Sequence, residues 1–151
     1  AETLATIRCG TVDLNGLKVG DSPQTQIAYA VTVYPTSGLS IKLLGRWYDR
    51  FWAEFEPGSR FNPADLGQAW EIPNYQVYDL HVSYRLPLKS ERFECSVFAH
   101  VLNLLDETYI SDATDNSSFE AISSAPSHSA QRAEVFLGPP ISYNVGVSLK
   151  F

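Results

Sequence analysis

Three histidines, His81, His100 and His128, are the side chains best suited to acid–base or metal chemistry in this 151-residue sequence. No G-x-S-x-G stretch or other nucleophile motif accompanies them, and no Gly-rich phosphate loop is present. His81 and His100 fall in neighbouring strand-like segments, with Asp79 and Glu94 close by in sequence. Cross-strand pairing would bring the two imidazoles together, a geometry in which a metal site is conceivable. The preferred reading is ordinary hydrogen-bonded histidines, so no catalytic set, metal or cofactor is expected. Cys9 and Cys95 form no CxxC pair. A disulfide between them stays open, but Cys95 holds an apolar position in a strand pattern and reads as a small packed side chain.

The elements that must carry these residues are strands. From Ile141 to Phe151, apolar Ile141, Tyr143, Val145, Val147, Leu149 and Phe151 alternate with Ser142, Asn144, Gly146, Ser148 and Lys150. This period of two makes one face greasy and the other wet. Its length suits a tilted strand crossing a bilayer, about 9–11 residues. The same alternation runs through Thr25–Tyr34, from Leu39 to about Phe51, through Val77–Leu86 and through Arg92–Leu102; Leu4–Cys9 reads as the end of a further strand. Pro35–Gly38 and Pro87–Glu91 are short turns. The stretches 53–74 and 112–140, rich in Pro, Gly, Ser and Asp, read as long exposed loops. Connections that alternate long and short are the pattern of outer-membrane barrels, with short turns on one side and long loops on the other.

Composition agrees without deciding. A hydrophobic share of 44% is ordinary, and barrels dilute their apolar residues by alternation. No apolar run approaches the ~18 residues of a membrane-spanning helix. A net charge of −6 argues against a nucleic-acid partner, which would need a basic stripe. The sequence has no Met, not even an initiator, which reads as a processed or excised piece.

Three passages resemble the C-terminal end of TonB-dependent outer-membrane receptors. Gly16-Leu17-Lys18-Val19-Gly20-Asp21-Ser22-Pro23-Gln24-Thr25 is similar to the family's loop that closes on a Pro before a descending strand. Trp70-Glu71-Ile72-Pro73-Asn74-Tyr75 with Val77-Tyr78-Asp79-Leu80 is like its "LPSY…VDL" approach to a late strand. Val101-Leu102-Asn103-Leu104-Leu105-Asp106-Glu107-Thr108-Tyr109 is close to its "VNNLFDKxY" signature, followed by the terminal Phe151. Leu102 stands where the family usually has Asn, and Leu105 where it usually has Phe.

The resemblance implies an all-β fold: an antiparallel transmembrane β-barrel segment of about five to six strands, the last of a ~22-stranded barrel, with long extracellular loops. Nothing in the sequence resembles the family's globular plug, so a fragment, or a piece completed by another chain, is expected. The apolar faces would meet outer-membrane lipid, with Tyr34, Trp47, Tyr84 and Phe151 in the interfacial girdles. Lys42, Arg46, Arg50, Asp79, His81, Arg85, Glu94 and His100 would line the lumen or meet the plug, and Phe98 and Leu102 on that side would need an apolar cover. Ligand contacts, if made, fall to loop aromatics Trp52, Phe55, Phe61, Trp70, Tyr109, Phe119 and Phe136; the plainer reading is that these fold the loops onto each other. Tyr143, Leu149 and Phe151 would form the signal read by the barrel-assembly machinery. The implied activity is uptake of a scarce ligand, such as a metal chelate, cofactor or glycan, powered by an inner-membrane energy-coupling protein acting through the plug. A passive porin or surface adhesin shares the strand pattern, and a soluble β-sandwich with Trp52 and Trp70 stacking on sugars is a further alternative.

Overall fold

Alternation of β-branched and aromatic residues with small polar ones sets the main strands, and turn residues end them. The computed structural model describes residues 14–60, 65–88, 93–117 and 127–151. Among the described residues nine strands follow in chain order: β1 (Thr25–Val33), β2 (Leu39–Asp49), β3 (Phe51–Trp52), β4 (Glu71–Ile72), β5 (Tyr75–Arg85), β6 (Glu94–Leu102), β7 (Ile110–Asp115), β8 (Ala133–Leu137) and β9 (Ser142–Lys150). The long ones form a five-stranded antiparallel sheet in the order β1-β2-β5-β6-β9, an up-and-down meander. The fold is all-β and antiparallel; the sheet is open, with β1 and β9 at its edges.

Register lines up one apolar and one mainly polar face across all five strands, the polar one interrupted by Leu44, Phe98 and Leu102. Val33, Ile41, Val82, Ala99 and Val145 form one cross-strand row, and Val31, Leu43, Leu80, Val101 and Tyr143 form another. Because side chains alternate, the next row on the opposite face is polar: Thr32, Lys42, His81, His100 and Asn144. A slip of one residue in any pairing would put a polar strand face among apolar ones. Among the described residues no second layer covers the apolar face: Val145 is 77% exposed, Val147 62% and Val31 61%.

Two glycines are filled by neighbouring rings, a known way of closing gaps in sheets. A Cβ on Gly45 would lie 2.5 Å from Cζ of Tyr29, and one on Gly146 would lie 2.3 Å from Cζ of Phe98. Phe98 therefore finds the cover it needs on the adjacent strand.

The buried apolar cluster is small and lies off the sheet faces. Phe51, Ala53, Ile72 and Ala113 are buried, with Trp70, Tyr75 and Ile110 packed against them. This cluster sits at the end of the sheet from which the long connections leave. It corrects the reading of 53–74 and 112–140 as plain exposed loops: β3 pairs with β4, and β7 with β8. Strand β2 also stops earlier than expected. Arg50 adopts φ 52°, which breaks the ladder before Phe51, and its guanidinium donates to the Thr25 hydroxyl. Leu4–Cys9, Phe61 and Phe119 lie outside the described residues. Cys95 is a free thiol on the apolar face, opposite Leu149.

Candidate functional site

The polar face of the sheet and the cap at its long-connection end contain nearly all the described side chains capable of chemistry. On the polar face, Arg46 Nη2 donates to Asp79 Oδ2 at 2.6 Å. The other Asp79 oxygen accepts the Asn103 backbone N–H at 3.0 Å, and Asp79 is buried. A buried carboxylate satisfied in this way fixes the chain around it.

Asn103 opens the turn that ends β6. Its φ is 51°, as is that of Asp106, a region Asn and Asp tolerate better than most residues. Its side chain accepts Glu107 N–H at 2.9 Å and donates to Glu107 C=O at 2.9 Å and Pro139 C=O at 3.1 Å. Asp106 Oδ1 accepts the Ile141 N–H at 2.9 Å. The Asn103–Tyr109 passage thus clamps the chain leaving β6 to the chain about to form β9. This gives that stretch of sequence a physical task, which its Asn and Asp side chains carry.

Two stacks of rings face the same side. Tyr75 lies 4.9 Å from Tyr48 and 4.5 Å from Tyr109, centroid to centroid. Burial pushes the Tyr109 hydroxyl above its ordinary pKa, so it stays a neutral donor and acceptor. His81 and His100, directly opposed on β5 and β6, approach to 2.7 Å between their Nδ1 atoms, and the Phe98 ring lies 5.1 Å from that of His100. Lys42 and Arg85 stay exposed on β2 and β5, and Glu94 is exposed at the start of β6. Of the eight charged and His positions expected on this face, Arg50 alone has left the sheet ladder.

The cap is stitched from three segments. Glu54 N–H donates to Ala113 C=O at 2.7 Å and Asp115 N–H to Glu54 C=O at 2.6 Å, joining the β2–β5 and β6–β9 connections by backbone bonds. Gln68 holds the segment before β1 through Lys18 N–H and Gly16 C=O. At the centre, His128 Nδ1 lies 2.7 Å from Asp115 Oδ2 and its Nε2 lies 2.8 Å from Asp65 Oδ1. With both nitrogens facing carboxylate oxygens, the ring bridges the two connections. A Cβ on Gly67 would approach His128 Cδ2 to 2.7 Å, so only glycine leaves the ring room. Arg60, also buried, donates to Gly67 C=O at 2.8 Å, lies 3.4 Å from Asp65 Oδ1, and stands over the Phe55 ring at 4.4 Å.

Among the described loop aromatics, Trp70, Tyr109 and Phe55 have packing partners within the fold. Trp70 packs on the apolar cluster, Tyr109 stacks on Tyr75 and Phe55 lies under Arg60, while the backbone carbonyl of Trp52 accepts the Asp21 N–H. Phe136 is 48% exposed on β8 and stays open to a ligand. Phe55 also borders a hollow of about 460 Å³ with Leu17, Val19 and Pro57. Arg60, Asp65 and Asp115, which the sequence reading did not single out, form a buried polar cluster linked through His128. The one local hint is Asp115-Asn116-Ser117, where Asp115 Oδ1 accepts Ser117 N–H at 2.9 Å, a side-chain turn common to Asp.

Burial alone would raise the Asp115 pKa. Hydrogen bonds from the Ser117 hydroxyl and amide, His128 and the Trp70 amide outweigh it and hold the carboxyl below its usual range. A depressed folded-state value stabilises the cap above the unfolded pKa, about 3.9, and this contribution fades as pH falls through the lower folded value. Acid titration followed by tryptophan fluorescence is expected to leave the cap intact down to about pH 4 and to loosen it below. Asp115→Asn should be weaker at neutral pH and lack most of that acid slope; an unchanged profile would remove Asp115 from this role.

Comparison with protein-family models, curated proteins and solved structures finds no match to this chain.

Proposed function

We propose that this chain is a stretch of wall from a transmembrane β-barrel of the bacterial outer membrane, the C-terminal part of an energy-coupled receptor. The receptor takes up a scarce ligand of the metal-chelate, cofactor or glycan kind. The observation that carries the reading is the apolar face, in register across five strands and uncovered. Water does not tolerate so continuous an apolar surface on a monomer, whereas hydrocarbon does. The polar opposite face suits a hydrated lumen or a plug domain. Short turns at one end and a stitched cap at the other suit the two sides of an outer membrane.

The open edges call for further strands, because unpaired backbone groups are costly in lipid. Those strands and the plug belong to the rest of the barrel, in the same or another chain. The inner-membrane energy-coupling protein acts through that plug. Tyr143, Leu149 and Phe151, 71%, 54% and 100% exposed, are presented on the edge strand to the assembly machinery. Binding falls to the cap, with Phe136 and the hollow beside Phe55 as its open surfaces.

Single cysteines carrying an environment-sensitive fluorophore, introduced after Cys9→Ser and Cys95→Ser, test the wall reading in the membrane-inserted protein. At Val31, Val82 and Val145 the emission is expected to shift to the blue and to be quenched by brominated acyl chains. At Ser40 and Ser83 it is expected to stay unquenched. Equal quenching on both faces would overturn the reading. Energy coupling is tested separately: uptake that stops when the proton gradient is discharged supports a receptor, and flux that survives supports a passive pore.

A further inference from the structure

We propose that His81 and His100 form a two-imidazole clamp for a divalent transition metal on the polar face of the sheet, with a geometry that favours copper(II). The starting point is the 2.7 Å separation of their Nδ1 atoms. Both nitrogens cannot carry protons at that distance, so one donates and the other accepts, and a single shared proton holds the rings together. A metal ion that displaces this proton meets two imidazole nitrogens already held within reach of one another.

The distance discriminates between metals. With metal–nitrogen bonds of about 2.0–2.1 Å, two imidazoles in adjacent square-planar positions stand about 2.9 Å apart, and two in tetrahedral positions about 3.4 Å apart. The first arrangement asks the rings to separate by a few tenths of an ångström and the second by considerably more. The pair is held close because its residues are direct partners on β5 and β6, and the Phe98 ring flanks His100. Tetragonal copper(II), which also heads the affinity order of divalent ions for nitrogen ligands, fits with the least movement.

The neighbours define what else the ion would bind. Asp79, the nearest carboxylate in sequence, is committed to Arg46 and the Asn103 amide. Among the described residues no group of three or more His, Cys, Asp or Glu side chains gathers to hold a metal. The clamp thus supplies two ligands and leaves the remaining positions to water or to donors that arrive with the metal. In the same row, Asn144 stands opposite His100 and Lys42 opposite His81. The Lys42 ammonium on that row opposes the metal's charge. This inference stands on the β5–β6 pairing alone and does not depend on the transport reading.

Copper(II) added to the folded, detergent-solubilised protein tests it, read by electron paramagnetic resonance and by titration against a competing chelator. One ion per chain is expected, with hyperfine coupling to two imidazole nitrogens and weaker binding of zinc(II). His81→Gln and His100→Gln should each weaken copper binding more than about tenfold, the loss that even outer-shell changes can cause. Each should also reduce the coupling to one nitrogen at most. His128→Gln should leave the signal unchanged, since that ring is engaged by two carboxylates in the cap. A wild-type spectrum without two coupled imidazoles, or equal binding by the His81 and His100 variants, would overturn the clamp. The wild-type spectrum decides the matter by itself if a variant fails to fold.

Discussion

Asn103→Ala is expected to destabilise the protein by about 4 kcal/mol, through three lost side-chain hydrogen bonds of about 1 kcal/mol each and a penalty of about 1 kcal/mol for a left-handed alanine. In a chain of this size that corresponds to a fall in melting temperature on the order of 10 °C. The bonds at stake reach Glu107 on the same turn and Pro139 on the returning connection, so their loss frees both ends of the clamp. Asn103→Gly separates the two contributions. Glycine accepts φ 51° without strain and should recover only the conformational part, leaving about 3 kcal/mol of the deficit. Thermal unfolding followed by circular dichroism checks both variants. If Asn103→Ala melts within a degree or two of the parent, the turn is held by something other than this side chain.

Leu80→Arg is the second large effect and depends on the proposed surroundings of the sheet. Leu80 lies midway along β5, paired with Leu43 and Val101 on the apolar face. An arginine near the middle of a bilayer-facing strand costs about 2–4 kcal/mol, whereas the same residue in water costs little. Ser83→Arg places the same charge on the opposite face of the same strand and is expected to change stability by less than about 0.5 kcal/mol. Unfolding by denaturant in lipid vesicles measures both. Leu80→Arg as mild as Ser83→Arg would mean that hydrocarbon does not meet this face.

The five long strands were legible because each has enough residues to display the two-residue period, and register then follows from matching apolar rows. Tyr29 and Tyr78 illustrate what alternation adds: the two-residue period puts both on the apolar face, and their hydroxyls meet at 3.0 Å across Gly45. The cap was not legible. Strands β3 and β4 are two residues each, too short to carry any period, and β7 is hidden in a Ser- and Asp-rich stretch that reads as turn. Arg60, Asp65 and Asp115 were overlooked because charged residues are usually solvated. Their burial depends on partners as distant as Asp65 and His128, 63 positions apart, which local pattern cannot reveal. His128 is legible as a histidine without a nucleophile beside it, but nothing in its own segment points to Asp65 as a partner. The proximity of His81 and His100 was foreseen, because cross-strand pairing of adjacent segments is itself a short-range inference.

The meander order has a kinetic consequence. Every neighbour in the main sheet is also the next long strand in sequence, so no strand waits for a distant partner before it can pair. The sheet can assemble by successive addition of hairpins from a single seed, each step closing one connection. Closure entropy rises only logarithmically with the length of that connection. The β3–β4 and β7–β8 ribbons shorten the two longest spans further once they form. Rapid growth of the ladder, followed by slower knitting of the loops at its long-connection end, is the folding sequence this connectivity favours.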